Sequence, residues 1–387
     1  MYNYLGLDNE SLQAYLDHIV AFPVVNFRVQ VCDLEHQPVS NISNRVLAGQ
    51  ITYDWDGEES TRVLTMSVFD PDYDLGFDTS DIVDGVWFFD RMVQVWSEVY
   101  VPALGFVVEC PMFTGPVRKF KRLNQVVTLD CSGKDIFARQ SWPRFTIPKG
   151  TNKATAIRQI LTELGETKFR FEATTVQKTG ETKVIDRNMT LSPWGYARLL
   201  ASTFDCRLFY DGAGYATLRA KDPTRPVFTF RDRDGGSVLT EPETSGDFSR
   251  IANVVRAEGL KTPNGANPYY EAMVPTTSVI HPSKLSRGGK PFYMGAVVIR
   301  DSITTTAQAK SVAQSELADR QNAAYDIQFD SRPIFPLEEG DPIATSIAGI
   351  GSTSTLLKFV IGFAPSAVMP IGYKKLVAPQ VAKIRRY

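Results

Sequence analysis

Long apolar runs are absent from this sequence of 387 residues. No apolar stretch approaches the roughly 20 residues that a membrane-spanning helix needs. The acidic N-terminal stretch MYNYLGLDNESLQAYLDHIV also lacks the basic and apolar regions of a secretory signal peptide. We therefore expect a protein that is made and kept in solution, in a cytoplasm, without a membrane anchor.

A basic excess is missing too, because 42 lysines and arginines face 43 aspartates and glutamates, for a net charge of -1. A protein that binds nucleic acid by neutralising phosphates normally carries a basic domain. The composition therefore argues against tight DNA binding. It is compatible with a pore past which DNA slides, because a strongly basic wall would retain the phosphates.

Cysteine and histidine are scarce, with four and three residues. Cys32, Cys110, Cys131 and Cys206 lie in strand-like apolar contexts and match no CxxC pattern, so we expect buried free thiols. Phosphate-loop, dinucleotide, metalloprotease and nucleophile-elbow motifs are missing as well. The sequence thus indicates no cofactor and no catalytic residue, and it favours a structural protein over an enzyme.

Polar and apolar residues alternate with a period of two between residues 22 and 139. Six segments bounded by turn residues are typical of antiparallel strands: VNFRVQVCD, VLAGQITYDW, STRVLTMSVFD, RMVQVWSEVYV, FVVECPMFTG and NQVVTLDCSG. No helical pattern is long enough to connect parallel strands, so we predict a first β-barrel or sandwich over 22–139. A short amphipathic helix precedes it and forms an N-terminal arm over 1–21.

Residues 140–221 are predicted to form a small α+β domain. TNKATAIRQILTELGE has the apolar spacing of a helix that Gly165 closes, and Ser192 with Pro193 begins a second helix. CRLFY and YATLRA flank the turn DGAG and indicate a hairpin. In this hairpin we expect Tyr210 and Asp211 at the surface of the domain.

The remaining chain is predicted to be a linker with one strand, over 222–247, and a second β-rich domain over 248–387. The second domain contains a helix at about 304–321 and an unassigned loop at 261–290. The turn and strand after Ile82 weakly resemble those after Leu337, which hints at a repeat. The fold class is therefore mainly β with an α+β insertion.

The densest group of carboxylates lies in the loop FDPDYDLGFDTSDIVDG. Asp70, Asp72, Asp74 and Asp81 provide a partial calcium-loop pattern, since alternating carboxylates can converge on one ion. The required glycine is replaced by Leu75, so a solvated loop between strands is the favoured interpretation and calcium binding the alternative.

Basic residues form a second group of candidates. Arg118, Lys119, Lys121 and Arg122 surround an aromatic residue, which fits a charged hairpin end or a patch that faces a partner or passing nucleic acid. The candidates for partner contact are these four residues with Asp72, Asp74, Asp78, Lys374 and Lys375. The loops 70–84 and 261–290 are the segments expected to reach neighbouring proteins.

The turn PLEEGDP raises the alternative of a cell-wall-degrading enzyme on a β scaffold. Glu338, Glu339 and Asp341 could be proposed as an acid/base pair for glycan cleavage. Adjacent side chains in a turn give no reason for the raised pKa of a general acid, however, so we expect no catalysis by this group.

The order of motifs along residues 22–387 resembles the tail hub proteins of tailed bacteriophages. NFRVQVCD, RVLTMSVFDP and FTGPV lie in the first β domain. TxxxxAIRxIL, WxxARLLA and FYDGAGYATL follow in the middle domain, and RIANVVRAEG opens the second β domain. Each motif is degenerate, and the resemblance depends on their order and spacing.

This resemblance implies two tail-tube-like antiparallel β-barrels in a homotrimeric virion protein of the tail tip or baseplate. The trimer would adapt the six-fold tube to a three-fold fibre or spike and surround the DNA exit channel, in contact with DNA only transiently. Implied partners are a distal tail protein or tube ring, the central fibre or spike, and the tape measure protein. Assembly is expected in the host cytoplasm. The chain ends at Tyr387 soon after the second barrel, so no enzymatic activity of larger relatives is implied.

Overall fold

A computed structural model gives the fold, and the structural statements below concern the residues that it describes. These are 5–22, 24–54, 61–72, 75, 91–141, 143–187, 189, 191–221, 225–232, 235–247, 249, 251–259, 267–299, 303, 305–321, 323–347, 350–364 and 367–377.

Helices occupy a small part of the described chain. They are Asn9–Ala21 (α1), Asp135–Gln140 (α2), Lys153–Glu163 (α3), Pro193–Ser202 (α4) and Thr306–Arg320 (α5), with a 3-10 turn at Ser43–Arg45. Within the described ranges, none of these helices combines the length and the apolar composition that crossing a membrane requires.

Strands dominate, which confirms the prediction of a mainly β fold with several antiparallel sheets. The strands are Asn26–Asp33 (β1), Pro38–Asn41 (β2), Val46–Asp54 (β3), Arg62–Phe69 (β4), Arg91–Val101 (β5), Phe106–Gly115 (β6), Val117–Leu123 (β7), Val126–Ser132 (β8), Phe145–Ile147 (β9), Phe169–Phe171 (β10), Lys183–Ile185 (β11), Cys206–Tyr210 (β12), Ala216–Ala220 (β13), Phe228–Arg231 (β14), Glu243–Asp247 (β15), Val254–Glu258 (β16), Tyr269–Met273 (β17), Ser286–Arg287 (β18), Lys290–Pro291 (β19), Gly295–Ile299 (β20), Ala323–Ser331 (β21), Pro342–Ile347 (β22), Ile350–Gly362 (β23) and Met369–Val377 (β24). The four cysteines are free and buried, as expected.

Two compact units divide the chain: Met1–Pro242 with Gln328–Tyr373, and Glu243–Ile327 with Lys374–Tyr387. Each unit combines segments that are far apart in the chain, whereas the domains predicted from the sequence are continuous segments. The predicted domain boundaries stay a prediction.

One long sheet in the first unit joins strands from both ends of the chain, in the order β24-β23-β3-β4-β8-β7. β23 pairs with β3 so that Phe359 lies opposite Tyr53 and Ile361 lies opposite Ile51. The rings of Tyr53 and Phe359 stack with centroids 4.1 Å apart, and all four side chains are buried. Apolar burial across this pairing therefore holds the last β region on the first.

The first unit contains a second sheet in the order β2-β1-β5-β6. β6 ends at Gly115, and β7 begins two residues later and joins the long sheet. A Cβ at Gly115 would lie 1.9 Å from the carbonyl oxygen of Ser132, so only glycine fits where the chain passes between the sheets.

The middle of the chain forms an α+β layer in which α3 and α4 pack on the sheet β10-β13-β12. Asn152 caps α3 and the predicted N-cap Ser192 caps α4, each through its side-chain oxygen. Trp194 is buried and stacks on the ring of Tyr210 at 5.2 Å, which fixes α4 to β12.

The second unit has its own core. Its sheet has the order β17-β16-β20, and α5 packs on β16 and β17 through Ala309, Ala313 and Leu317. A capping box between Thr305 and Gln308 begins α5 close to the predicted position. The segment predicted as an unassigned loop contains β17, β18 and part of β19, while residues 261–266 lie outside the described residues.

Candidate functional site

The basic run that we predicted as a partner contact lies on β7, the outer strand of the long sheet. Arg118, Lys119 and Lys121 are exposed, and Phe120 and Leu123 are exposed between and beside them. Neither Lys119 nor Lys121 forms an ion pair with a described residue. This strand therefore presents positive charge and apolar surface at the edge of a sheet.

Arg122, the last basic residue of this run, forms an ion pair with Asp70. The Asp70 side chain is completely buried, accepts a hydrogen bond from Arg122 and lies 3.6 Å from Nη1 of Arg45. The Asp70 backbone N–H also donates to the carbonyl of Gln125 at 2.7 Å. Asp70 thus connects the end of β4 to β7, whereas Asp72 is exposed.

Several other candidates fall outside the described part of the chain. Asp74, Asp78 and Asp81 are among them, so the calcium alternative has no geometric test. Lys374 and Lys375 lie in β24, and their side chains are not described. Within the described residues, no three His, Cys, Asp or Glu side chains form a group that could hold a metal ion.

A cluster of buried charges lies where three parts of the first unit meet. It connects β4, the β12–β13 hairpin and the turn 337–341 that precedes β22. Three arginines and four carboxyl groups form its core, and each residue is at most 3% exposed. The members of this ionic cluster are Arg62, Arg207, Arg219, Asp211, Glu338, Glu339 and Asp341.

Arg62 is the contribution of β4 to the ionic cluster. Its Nη2 donates to Glu338 and, at 2.9 Å, to Oε2 of Glu339, while Nη1 donates to the carbonyl of Met112 at 2.9 Å. The guanidinium also lies over the ring of Tyr53, 4.7 Å from its centroid. An unpaired buried charge would cost several kcal/mol, so these contacts allow a core strand to carry an arginine.

The hairpin contributes one arginine from each strand. Arg207 of β12 donates to the carbonyl of Glu339 at 2.7 Å and to the Asp341 carboxylate. Arg219 of β13 donates to Oε2 of Glu172 at 2.8 Å, and its Nη1 lies 3.7 Å from Oδ1 of Asp341. Both strands therefore hold the turn 337–341 in place.

The turn of this hairpin is buried, so the expected surface position of Tyr210 and Asp211 was wrong. Asp211 accepts hydrogen bonds from Nη1 of Arg170 at 2.5 Å, the Thr217 hydroxyl at 3.1 Å and the Tyr215 backbone N–H at 3.0 Å. These bonds replace the water that a turn aspartate would otherwise contact, which is why the residue can be buried.

Within the ionic cluster, the carboxyl group of Glu338 has a raised pKa. Burial raises the pKa of Glu338 to about 8, and the charges of Glu339, Asp211 and Asp341 act in the same direction against the attraction of Arg62. The expectation that nothing would raise a pKa in this turn was therefore wrong. This burial is invisible in the local sequence, because groups that surround Glu338, such as Arg62 and Gly212, lie 276 and 126 positions away.

A raised carboxyl pKa is typical of general acids, but a substrate must also reach the group. Glu338, Glu339 and Asp341 are each at most 2% exposed, and arginines engage all three carboxylates. This arrangement can hold elements together, but it leaves no open position for a glycan.

A second polar group contacts the same hairpin, and two of its members, Lys134 and Glu166, line a pocket of about 420 Å³. Nζ of Lys134 lies 2.9 Å from Oε2 of Glu166 and 3.1 Å from Nε2 of His36, and it donates to the Gly214 carbonyl at 3.3 Å. Burial lowers the pKa of His36 to about 3, aided by Lys134, so this imidazole is neutral and its Nε2 can accept a hydrogen bond from the Lys134 ammonium group. No motif in the sequence signals this group.

Comparison with solved structures identifies proteins of the same fold. The 43 kDa tail protein of prophage MuSo2 from Shewanella oneidensis aligns over 90% of this chain and 98% of its own, with a TM-score of 0.60 at 10% identity. A tail protein from Neisseria meningitidis MC58 aligns over 90% and 97%, with a TM-score of 0.59 at 12% identity. Prophage tail protein gp18 from Listeria monocytogenes EGD-e aligns over 90% and 94%, with a TM-score of 0.51 at 10% identity.

Sequence comparisons add nothing to this likeness, because no protein-family model matches the chain and no curated protein is significantly similar to it. The structural matches cover nearly the full length of the three tail proteins, so they concern the whole arrangement of elements. The resemblance to phage tail hub proteins is thereby confirmed at the level of the fold, and this chain has the fold of phage tail proteins.

Proposed function

We propose that this protein is a structural hub of a phage tail tip or baseplate. The observation that carries the proposal is the shared fold, which spans nine-tenths of this chain and nearly all of two tail proteins, from prophage MuSo2 and from Neisseria meningitidis. In the proposed assembly a homotrimer adapts the six-fold tail tube to a three-fold fibre or spike and surrounds the DNA exit channel. Its net charge of -1 fits a channel that DNA crosses without being retained.

The proposed partners follow from this position in the virion. A distal tail protein or tube ring would lie above the trimer, and a central fibre or spike, with the tape measure protein as a further candidate, would lie at its axis. The particle would be assembled in the host cytoplasm and would contact DNA only transiently.

Light scattering on the purified full chain tests the proposal, with electron microscopy after addition of the distal-tail or tube protein of the same phage. We expect a trimer that stacks on the added rings. A chain that stays monomeric at high concentration and does not join these rings would contradict the proposal.

Within this assembly, we propose that β7 contacts a neighbouring protein through Lys119 and Lys121. Both side chains are exposed, and neither has an anionic partner among the described residues. The double substitution Lys119→Gln and Lys121→Glu should weaken ring stacking without lowering the melting temperature, because Lys119 lies opposite Asp130 and a glutamine there adds no repulsion. Lys149→Glu, at another exposed lysine, is the matched control and should leave stacking intact. Equal stacking by both variants would exclude β7 as a contact.

The raised pKa of Glu338 is the observation that favours the alternative of a cell-wall-degrading enzyme. Burial of this carboxyl group speaks against that alternative. A zymogram on host cell walls decides between them, because activity that disappears in Glu338→Gln would support the enzyme and a clear absence of lysis would support the hub.

A further inference from the structure

The ionic cluster contains more carboxyl groups than cations. Four buried carboxyl groups face three buried guanidinium groups, and Arg170 and Glu172 at the rim add one charge of each sign. Glu338 and Glu339 both depend on Nη2 of Arg62 for their ion pairs. Oε1 of Glu339 is buried and has no hydrogen-bond partner among the described atoms. A fully ionised cluster would therefore bury one uncompensated negative charge.

A buried charge without a partner is avoided by binding a proton, and a neighbouring carboxylate favours the protonated form. We propose that the cluster is a proton latch, in which one proton held by Glu338 beside Glu339 keeps the turn 337–341 on β4 and the β12–β13 hairpin. Loss of this proton at alkaline pH releases the turn. The latch goes beyond the proposed function, because it concerns how the first unit holds itself together.

Every element that surrounds Glu338 contributes to the balance of charge. The groups that interact with Glu338 are Tyr53 on β3, Arg62 on β4, Asp211 in the hairpin turn, Arg219 on β13, and Glu339 and Asp341 in the same turn. Three further charged groups pair with members of this set: Arg170 on β10 with Asp211, Arg207 on β12 with Asp341, and Glu172 after β10 with Arg219. The Gly212 backbone N–H, 3.4 Å from Oε1 of Glu338, is a weak additional donor. Among these groups only Arg62 forms an ion pair with Glu338.

The sign of the pH dependence follows from the direction of the shift. The pKa of Glu338 rises from 4.5 to about 8 on folding, so between these values the folded protein binds more protons than the unfolded chain. The stabilisation is fully present below pH 4.5 and is lost as pH rises through about 8. The latch is therefore closed at neutral pH and opens above pH 8.

Opening has a local signature in the backbone. The Gly340 N–H donates to the Leu356 carbonyl at 2.7 Å, and the Leu356 N–H donates to the Asp341 carbonyl at 2.8 Å. Both bonds connect the turn to β23, and both amides would exchange with solvent when the turn moves away.

Hydrogen exchange of the full chain tests the latch, with wild type and Glu338→Gln compared at each pH from 6.5 to 9.5. The glutamine keeps a neutral side chain of the same shape at all pH values. We expect equal protection of residues 338–341 and 356 at pH 6.5, and about tenfold faster exchange in wild type at pH 9.5. Glu163→Gln, an exposed glutamate on α3, should behave as wild type.

A constant ratio of exchange rates across the pH range would overturn the latch, because the variant removes the titrating group. If Glu338→Gln does not fold, infrared spectroscopy of wild type provides an independent test. A protonated buried carboxyl band should be present at pH 6.5 and absent at pH 9.5. Absence of this band at pH 6.5 would contradict the latch even if the chain forms the proposed trimer, and a monomer with the band would contradict only the hub.

Discussion

Gly212 determines how closely the β12–β13 hairpin approaches β6. A Cβ at this position would lie 2.2 Å from the carbonyl oxygen of Pro111, and the Thr114 hydroxyl donates to the Gly212 carbonyl at 2.9 Å. Gly212→Ala should therefore force backbone atoms apart and lower the free energy of unfolding by about 2 kcal/mol, as overpacking does. Urea unfolding measures the effect. Gly180→Ala is the control, since a Cβ there meets nothing within 4 Å and stability should be unchanged.

Asn253 plays a comparable part in the second unit, where its amide replaces missing backbone partners. Its Nδ2 donates to the carbonyls of Ile280 and Phe292, each at 2.9 Å, and its Oδ1 accepts from the Met294 N–H at 2.8 Å. Asn253→Leu keeps the volume but leaves these buried groups unpaired, so we expect a loss of about 3 kcal/mol. The loss of stability should appear as a lower melting temperature of the second unit and as faster hydrogen exchange in that unit. Unchanged exchange in residues 280–294 would contradict this role.

At the scale of single elements, the helices were the most predictable part of the fold. α3 has its apolar residues at helical spacing, and the predicted end at Gly165 has the positive φ of +90° that favours glycine. Ser192 and Pro193 begin α4 as predicted. These signals are local, because a cap and its amide lie within three residues of each other.

Apart from the local β12–β13 hairpin, which was predicted, strand pairing and the ionic cluster could not be predicted, because both depend on residues far apart in the chain. The alternation of polar and apolar residues shows which face of β3 and of β23 is apolar. It does not show which strand lies beside them, because any strand with one apolar face could pair there. The contact between Tyr53 and Phe359 is thus not encoded locally. For the same reason, the local sequence of the turn does not show that Arg62 of β4 contacts Glu338 and Glu339.

The start of α5 provides a test at the scale of one helix. Thr305 accepts from the Gln308 N–H, and Gln308 accepts from the Thr305 N–H, which satisfies two amides that a helix leaves without partners. Thr305→Ala should lower the free energy of unfolding by about 1 kcal/mol in thermal or urea unfolding. Thr306→Ala, one position further on, lacks this role and should leave stability unchanged or slightly raised. Equal effects of both substitutions would contradict the capping role.

At the scale of the whole molecule, the larger segment of the second unit, Glu243–Ile327, is an insertion between the two segments of the first. Residues on either side of the insertion are adjacent, because the Leu239 N–H donates to the Asp330 carbonyl at 2.8 Å and Val238 pairs with Ser331. Among the described residues, the hydrophobic cluster of the second unit comes from residues 251–317, and a separate cluster in the first unit comes from residues 138–218. Each unit therefore has a hydrophobic core of its own.

This organisation predicts that the first unit folds after removal of residues 243–327. A linker of about six Gly and Ser residues can join Pro242 to Gln328, since the flanking strands already hold these ends together. We expect a cooperative thermal transition and the same pH dependence that the ionic cluster gives the full chain. Circular dichroism and hydrogen exchange measure both.

A matched deletion of residues 328–373 is the contrasting variant. It removes β23 and leaves Arg62 without its carboxylates, so it should abolish the cooperative transition. If the first deletion unfolds the chain and the second does not, the first unit owes its stability to the insertion and not to the pairing of its own ends.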